Sequence, residues 1–187
     1  MNQDKRLLER IAHGDRTAFA ALYDALAADV YRYLLIILGE TGAAEDVLQE
    51  TFLAVWQQAR QFRGDSRVKT WILGIARYKA YTRLNGRYEE QLDEQMADGL
   101  VGEDGFETFS RIWREMQIAQ AVAQLPVHHR EALELVFGFG LSYREAADVL
   151  GCPIGTVKSR VSYALKALRE RLHYLRGAEI PAREEEG

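Results

Sequence analysis

The sequence has few of the features that mark membrane, secreted or disulfide-bonded proteins. It contains one cysteine, Cys152, so no internal disulfide can form, and a reducing compartment such as the cytoplasm fits best. No apolar run approaches the roughly 20 residues that cross a bilayer. Residues 1–15 contain acidic residues and lack an apolar core, which is not typical of a signal peptide. Only three prolines occur, which favours long helices. We therefore expect a cytoplasmic, helical protein with no membrane insertion of its own.

The sequence also lacks the spacings that build catalytic or metal sites. The four histidines are scattered, and the adjacent His128 and His129 cannot face one metal ion from the same helix. The glycines form neither a phosphate-binding loop nor a dinucleotide fingerprint. We interpret Cys152 as a packing residue rather than a redox sensor, because sensing requires an activated thiolate. We expect no metal, no cofactor and no catalytic residues.

Charge is unevenly distributed along the chain, although the net charge is only −4. Acids dominate between residues 89 and 115, whereas bases outnumber acids from 61 to 87 and from 126 to 177. Two basic segments separated by an acidic one favour two nucleic-acid contacts joined by an acidic connector.

Helical periodicity predicts an all-α fold with two small domains. A break at His13-Gly14-Asp15 separates the first two helices, with Asp15 or Thr17 as the N-cap, and Ser66 is the expected cap of a helix that starts near Val68. The acidic, glycine-containing connector is the best domain boundary. The predicted parts are a first domain over 1–86, a flexible acidic linker over 87–110, a second domain over 111–177 and a polar tail over 178–187.

The segment 141–172 has the pattern of a helix-turn-helix. Ser142 and Glu145 predict a capping box, Gly151 predicts the sharp turn, and Thr156 is expected to cap the second helix. Such a helix enters the DNA major groove with its apolar face inward, here expected to be Val157, Val161, Leu165 and Leu168.

The polar positions of this motif have the side chains that read phosphates and bases. The candidate DNA contacts are Arg144, Thr156, Lys158, Ser159, Arg160, Ser162, Tyr163 and Lys166. An amphipathic helical hairpin with a solvated basic face is the alternative.

From Leu125 to Leu172 the chain resembles region 4 of sigma factors of the extracytoplasmic-function (ECF) group. The residues that carry this resemblance are Leu125-Pro126, Arg130-Glu131-Ala132, Leu141-Ser142-Tyr143, Glu145-Ala146-Ala147 and Gly155-Thr156-Val157-Lys158-Ser159-Arg160. The resemblance implies that the second helix recognises a −35 promoter element. Because response regulators share part of this pattern, the choice of family depends on the N-terminal half.

One stripe of the helix near 43–59 mixes acids, amides and a leucine, which is typical of a partner-helix contact or of a solvated face. The stripe comprises Asp46, Gln49, Glu50, Leu53 and Gln57. From Gln49 to Leu84 the chain resembles sigma regions 2.2 to 2.4. The resemblance implies that Asp46, Gln49, Glu50 and Leu53 bind core RNA polymerase at the clamp helices of its β′ subunit, while Phe52 packs inward.

The loop at Phe62-Arg63-Gly64-Asp65-Ser66 and the basic helix after it resemble the segment that captures and melts the −10 element. Cations grip phosphates and aromatic rings stack on unpaired bases at about 1–3 kcal/mol per base, although Phe62 and Trp71 are also plausible core residues. Tyr78 stands where many family members carry asparagine, so the −10 sequence read can differ. The candidate −10 contacts are Phe62, Arg63, Asp65, Ser66, Lys69, Arg77, Tyr78, Lys79 and Tyr81.

Taken together, these resemblances predict a transcription initiation factor. Its implied partners are core RNA polymerase, through the β′ clamp helices and the β flap, promoter DNA, and an anti-sigma factor that holds it inactive. The alternatives are a sigma-factor mimic that sequesters an anti-sigma factor and a helix-turn-helix regulator. A mimic would lose the DNA-facing cations, and a response regulator would need a β/α receiver pattern, which the sequence lacks.

Overall fold

The computed structural model describes residues 3–88 and 119–178, and all regular elements in these ranges are helical. The N-terminal helices are α1 (Gln3–Ala12), α2 (Arg16–Leu38), α3 (Thr41–Gln58) and α4 (Val68–Tyr88). The C-terminal helices are α5 (Val127–Leu133), α6 (Tyr143–Leu150) and α7 (Ile154–Ala178). The turn after α3, Ala59–Gln61, is a 3-10 helix, and α5 continues into a π-helical turn, Glu134–Gly138. The predicted tail and nearly all of the predicted acidic linker lie outside the described residues.

The helices begin and end where local side chains satisfy their backbone. The Asp15 carboxylate accepts the backbone N–H groups of Thr17 and Ala18 at 2.9 and 3.0 Å, so Asp15 rather than Thr17 caps α2. Gly39 ends α2 with φ of 70°, a left-handed conformation that favours glycine. The prediction for Ser66 is wrong, because α4 begins at Val68 and the Ser66 hydroxyl bonds the Arg67 carbonyl at 3.4 Å.

Helices α1 to α4 pack around a common apolar core. Phe52 is 2% exposed, as predicted, and its ring meets the ring of Tyr23 edge-on at 4.7 Å. Tyr33 is completely buried on α2. The side of α3 that carries Phe52 also buries Val47 and Val55, so the opposite side of α3 is exposed.

The helix-turn-helix forms as predicted, with two corrections in α7. The Ser142–Glu145 capping box is present, and Gly151 makes the turn with φ of 61°. Helix α7 begins at Ile154, where the Pro153 carbonyl accepts the Val157 N–H, so Thr156 lies in the first turn and is not the cap. Val157 and Val161 are buried as expected, but the next buried position is Ala164, while Leu165 is 40% exposed.

The two groups of helices pack against each other and share one apolar core cluster. Helix α5 lies on α2, and α6 lies along α4. Phe139, just after the π-helical turn, packs edge-on against Tyr33 with ring centroids 6.1 Å apart. This interdomain contact had no counterpart in the sequence-based prediction. None of the helices in 3–88 or 119–178 is both long and apolar enough to span a membrane.

Candidate nucleic-acid interface

Helix α7 presents a continuous polar face to solvent. Its exposed members, called here the α7 face, are Lys158, Ser159, Ser162, Tyr163 and Lys166. Arg144 on α6 is also exposed, whereas Thr156 and Arg160 are half-buried. Six of the eight predicted major-groove contacts are therefore exposed, and the other two are half-buried.

Two of the predicted DNA contacts, Tyr163 and Arg160, are oriented by neighbours that the sequence analysis did not identify. The Tyr163 ring stacks on His129 of α5, with centroids 6.1 Å apart and planes at 18°. Burial, then the charges of His128 and Arg160, lower the pKa of His129, so its ring is held neutral at pH 7. An Arg160 nitrogen lies 4.0 Å from Cys152 Sγ, which ties this arginine to the turn.

The predicted polymerase-binding residues form an exposed stripe on α3. Asp46, Gln49, Glu50 and Leu53, called here the α3 stripe, are all exposed, and Leu53 is 56% exposed. Two of the acids pair with cations of α4: Asp46 with Arg83 at 2.9 Å and Glu50 with Lys79 at 3.5 Å. An exposed leucine bordered by acids and an amide is suited to a partner helix that carries basic residues.

The loop before α4 surrounds a small cleft. Phe62 packs on Trp71 with centroids 5.2 Å apart, and Gly64 takes φ of 80°. These residues line a cleft of about 190 Å³ together with the exposed Arg63 and Asp65 and the half-buried Ser66. Phe62 and Trp71 therefore both pack together and face the cleft, so the core and binding interpretations are compatible.

A larger cleft of about 490 Å³ lies between α3 and α4. Gln58, Thr70 and Tyr78 line it, with Asp148 of α6 at its edge. The Thr70 hydroxyl is buried and has no hydrogen-bond partner among the described residues. A hydroxyl and an amide in such a place can each donate to or accept from a base edge. Sequence reasoning did not select Gln58 or Thr70 as DNA contacts. The spacing of Thr70 from Tyr78 on α4 could have suggested Thr70, but Gln58 lies on α3 and no helical spacing relates it to Tyr78.

The predicted −10 contacts of α4 fall on two sides of the helix. Tyr78 is 74% exposed, and Lys79 is half-buried beside Glu50. Lys69, Arg77 and Tyr81 face the C-terminal helices instead. Lys69 bonds Asp29 at 2.6 Å and lies 4.8 Å from the Phe139 ring centroid.

Arg77 and Tyr81 converge on one buried carboxylate of α5. Glu131 is 0% exposed and accepts hydrogen bonds from Tyr33 at 3.0 Å, Arg77 at 2.9 Å and Tyr81 at 2.9 Å. These four residues are called here the Glu131 cluster. Burial, and then the Glu131 charge, raise the pKa of Tyr81 to about 12 and that of Tyr33 well above its usual value. Burial is the largest single effect on the pKa of Arg77 and lowers it, but the charge and hydrogen bond of Glu131, together with Tyr33 and Tyr81, raise it by more, so the net shift is upward.

Comparison with known protein families places both halves of the chain. The model for Sigma-70 region 2 matches residues 22–88, and that for Sigma-70 region 4 matches residues 115–168. The chain is 32% identical to the RNA polymerase sigma-H factor of Pseudomonas aeruginosa, over 92% of this chain and 95% of that protein. It is 36% identical to the ECF RNA polymerase sigma factor SigC of Mycobacterium tuberculosis, over 84% of each chain.

Two solved structures resemble the fold. The sigma factor RpoE of Bartonella quintana, solved in complex with the anti-sigma factor NepR, has a TM-score of 0.67 and 27% identity, over 83% of this chain and 96% of that one. CnrH, solved with the cytosolic domain of CnrY, also has a TM-score of 0.67, over 92% of this chain and 99% of that one. At 22% identity this second likeness concerns the fold alone.

Proposed function

We infer that this chain, which belongs to the ECF family of RNA polymerase sigma factors, binds core RNA polymerase and directs it to −10 and −35 promoter elements. The observation that carries this function is the match of both family regions, 2 and 4, to the two halves of one chain. As a transcription initiation factor it has no reaction of its own, because the polymerase performs the chemistry. It acts where RNA polymerase acts, in the cytoplasm.

The α3 stripe is the proposed docking surface for the polymerase clamp helices. Leu53 supplies an apolar centre, while Asp46 and Glu50 supply charge that complements a basic partner. Both acids pair with α4 cations in the free chain, so docking exchanges those pairs for contacts with the polymerase. The β flap is the expected site for the second domain, over 111–177.

The α7 face is the proposed reader of the −35 element. Lys158 and Lys166 are placed to contact phosphates or guanine edges, and the serine hydroxyls can make adaptable contacts. Tyr163 keeps a defined orientation through its stack on His129. Arg144 lies on α6, the helix that crosses the DNA backbone in this motif, and it adds a phosphate contact.

The first domain, over 1–86, is the proposed reader of the −10 element. The cleft at Phe62, the Thr70 hydroxyl and the exposed ring of Tyr78 lie on one side of α4. Holding an unpaired base out of the stack costs a few kcal/mol. Stacking on aromatic rings and phosphate contacts offset that cost.

An anti-sigma factor is the proposed regulator of this chain. The related RpoE of Bartonella quintana was solved with its anti-sigma factor NepR, which supports this proposal. A mimic that only sequesters an anti-sigma factor is disfavoured, because Lys158, Lys166 and Arg144 remain exposed on the α7 side. A mimic has no need of such cations.

Run-off transcription with core polymerase and a library of candidate promoters tests this function. We expect promoter-dependent transcripts from the wild-type chain. Leu53→Asp should abolish them and weaken core binding about 100-fold, which corresponds to about 2.7 kcal/mol. Ala21→Asp, which places the same charge on the exposed side of α2, is the matched control and should bind normally.

Two results would contradict the proposal. The absence of any promoter-dependent product from the wild-type chain would remove the function itself. Normal core binding by Leu53→Asp would leave the function standing and remove the α3 stripe from it.

A further inference from the structure

The Glu131 cluster joins the two domains through a charge that receives no hydrogen bond from the described residues of its own domain. The three hydrogen bonds that described residues donate to the Glu131 carboxylate come from the N-terminal domain: from Tyr33 on α2 and from Arg77 and Tyr81 on α4. A buried carboxylate is costly unless it is paired and hydrogen-bonded. Glu131 is therefore stable in its buried position only while α5 stays against α2 and α4.

Two of these three donors belong to the predicted −10 surface. Arg77 and Tyr81 were selected from the sequence as contacts to the phosphates and bases of the −10 strand. In the structure the Arg77 side chain is 23% exposed, and its Nε donates to Glu131 at 2.9 Å. A carboxylate and a phosphate are both oxyanions that accept the same guanidinium hydrogen bonds. Glu131 thus occupies the position that a promoter phosphate needs at Arg77.

The contacts around the cluster cover more of α4. The Lys69 ammonium lies 4.8 Å from the centroid of the Phe139 ring, and the Arg32 guanidinium lies 4.7 Å from the same centroid. Arg32 also bonds Glu134 at 2.9 Å, and Arg67 bonds Glu145 at 2.7 Å. Each of these ion pairs joins the N-terminal domain to the C-terminal one. Together they place α5 and α6 over the basic side of α4.

We propose that the C-terminal domain occludes the −10 surface of the free chain, with Glu131 as an internal substitute for a promoter phosphate. The −10 strand then binds only after α5 leaves α4, which frees Arg77 and Tyr81 and uncovers Lys69, whose ion pair with Asp29 lies within the N-terminal domain. This proposal rests on the proposed function, since it assumes that α4 binds single-stranded promoter DNA. It goes beyond that function by assigning Glu131 a role that involves neither DNA nor polymerase.

The occlusion has a quantitative consequence for DNA binding. If only a fraction of the molecules is open, the apparent dissociation constant equals the intrinsic one divided by that fraction. Weakening the interface therefore tightens DNA binding, up to the limit at which all molecules are open. A static interface that is unrelated to DNA binding predicts no such gain.

The test compares Glu131→Gln with two other variants of the full chain. Glutamine keeps the size of the side chain but leaves Arg77 without its buried counter-charge. Glu170→Gln is the charge-matched control, because Glu170 is exposed on α7 and bonds no side chain that the structure describes. Arg32→Ala weakens the interface from the other domain without altering Glu131 or a predicted DNA contact.

Two measurements are made on each folded variant. Fluorescence anisotropy reports the affinity for a labelled single strand of random sequence, and small-angle X-ray scattering reports the radius of gyration. We expect Glu131→Gln to bind the strand about tenfold more tightly, because a lost hydrogen bond to a charged group is worth about that factor. Its radius of gyration should increase. Glu170→Gln should change neither quantity beyond about twofold in affinity.

Arg32→Ala keeps the proposal testable if Glu131→Gln fails to fold. This variant loses a cation, so electrostatics alone would weaken its binding to DNA. A severalfold gain in affinity with an increased radius of gyration supports occlusion. Equal affinity and equal size for Glu131→Gln and Glu170→Gln would overturn it. An increase in size with no DNA binding by any variant, wild type included, would instead count against the proposed function while leaving the Glu131 contact intact.

Discussion

Helices α4 and α7 are both basic, yet their cations are in opposite states. Lys158 and Lys166 on α7 are exposed, and neither forms an ion pair with a side chain that the structure describes. On α4, every cation whose side chain is described is paired: Lys69, Arg77, Lys79 and Arg83 contact Asp29, Glu131, Glu50 and Asp46. Under the proposed assignment of DNA contacts, the α7 face is open to DNA directly, whereas binding at α4 first requires the exchange of internal partners. The difference implies an order, with the −35 contact available before the −10 contact.

The largest expected effect concerns the contact that keeps α4 covered. Phe139→Ala should lower the free energy of unfolding by about 3–5 kcal/mol, because it empties a buried ring position against Tyr33. Phe137→Ala is the matched control: that ring is 61% exposed, and its loss should cost less than about 0.5 kcal/mol. Chemical denaturation measures both. Similar losses for the two variants would mean that the interdomain contact is not a stabilising part of the fold.

A second prediction compares one cation from each helix in DNA binding. Lys158→Ala should weaken binding to duplex DNA about tenfold and lower the salt dependence by about one counterion. Arg77→Ala should weaken single-strand binding less than tenfold, because the same change removes the partner of Glu131 and so releases α5 from α4. Anisotropy titrations at several salt concentrations measure both. A larger loss for Arg77→Ala would indicate that α4 is already accessible in the free protein.

A third prediction uses pH to follow the covered side of α4. The pKa of Tyr81 is raised from 10.0 to about 12, chiefly by burial and then by Glu131. The protonated phenol therefore contributes stability that is fully present below about pH 10 and is lost as the pH rises through about 12. Nine tyrosines are present, so tyrosinate absorbance is compared between the wild type and Tyr81→Phe. The difference should titrate at a lower pH in a Glu131→Gln background, because the Glu131 charge is removed there, and an unchanged titration would contradict the assignment.

The smallest expected effect is at the rim of the interface. Arg67 pairs with Glu145 at 2.7 Å, but the Arg67 side chain is 59% exposed. Exposed ion pairs contribute about 0–1 kcal/mol, so Arg67→Ala should barely change the denaturation midpoint at moderate salt. A loss as large as that of Phe139→Ala would show that the rim, and not the buried ring, holds the domains together.

The local parts of the fold could be predicted from the sequence because their signals are local. Asp15 and the Ser142–Glu145 box cap helices through backbone groups three residues away, so spacing identifies the box and reduces the cap of α2 to two candidates, Asp15 and Thr17. The exposure of the α3 stripe could also be predicted, because the helical repeat places its residues on the side of α3 opposite Phe52. The predicted start of α7 is wrong because threonine is a common cap residue, whereas here Pro153 precedes the first turn and accepts the Val157 N–H. The inward assignment of Leu165 is wrong because Ala164, a smaller residue, takes the buried position.

The Glu131 cluster could not be predicted, for a different physical reason. Tyr33 and Glu131 are 98 residues apart, and no periodicity relates positions at that separation. A glutamate in a helix is ordinarily a solvated residue, and only the packing of α5 against α2 and α4 makes it buried. The state of the −10 residues follows from this contact, so the sequence identified Lys69, Arg77 and Tyr81 as candidates without indicating that they are covered. The assignments of individual residues to polymerase and DNA remain predictions.

The separation of Arg77 from Glu131 also affects how the protein is made. The two residues are 54 positions apart, and Arg77 leaves the ribosome first. At about 5–20 residues per second, Glu131 follows roughly 3–11 s later. During that interval a nascent chain can fold its first domain and present α4 uncovered. Each newly synthesised molecule therefore passes through an open state before it closes, and nearby nucleic acid or polymerase meets it in that state first.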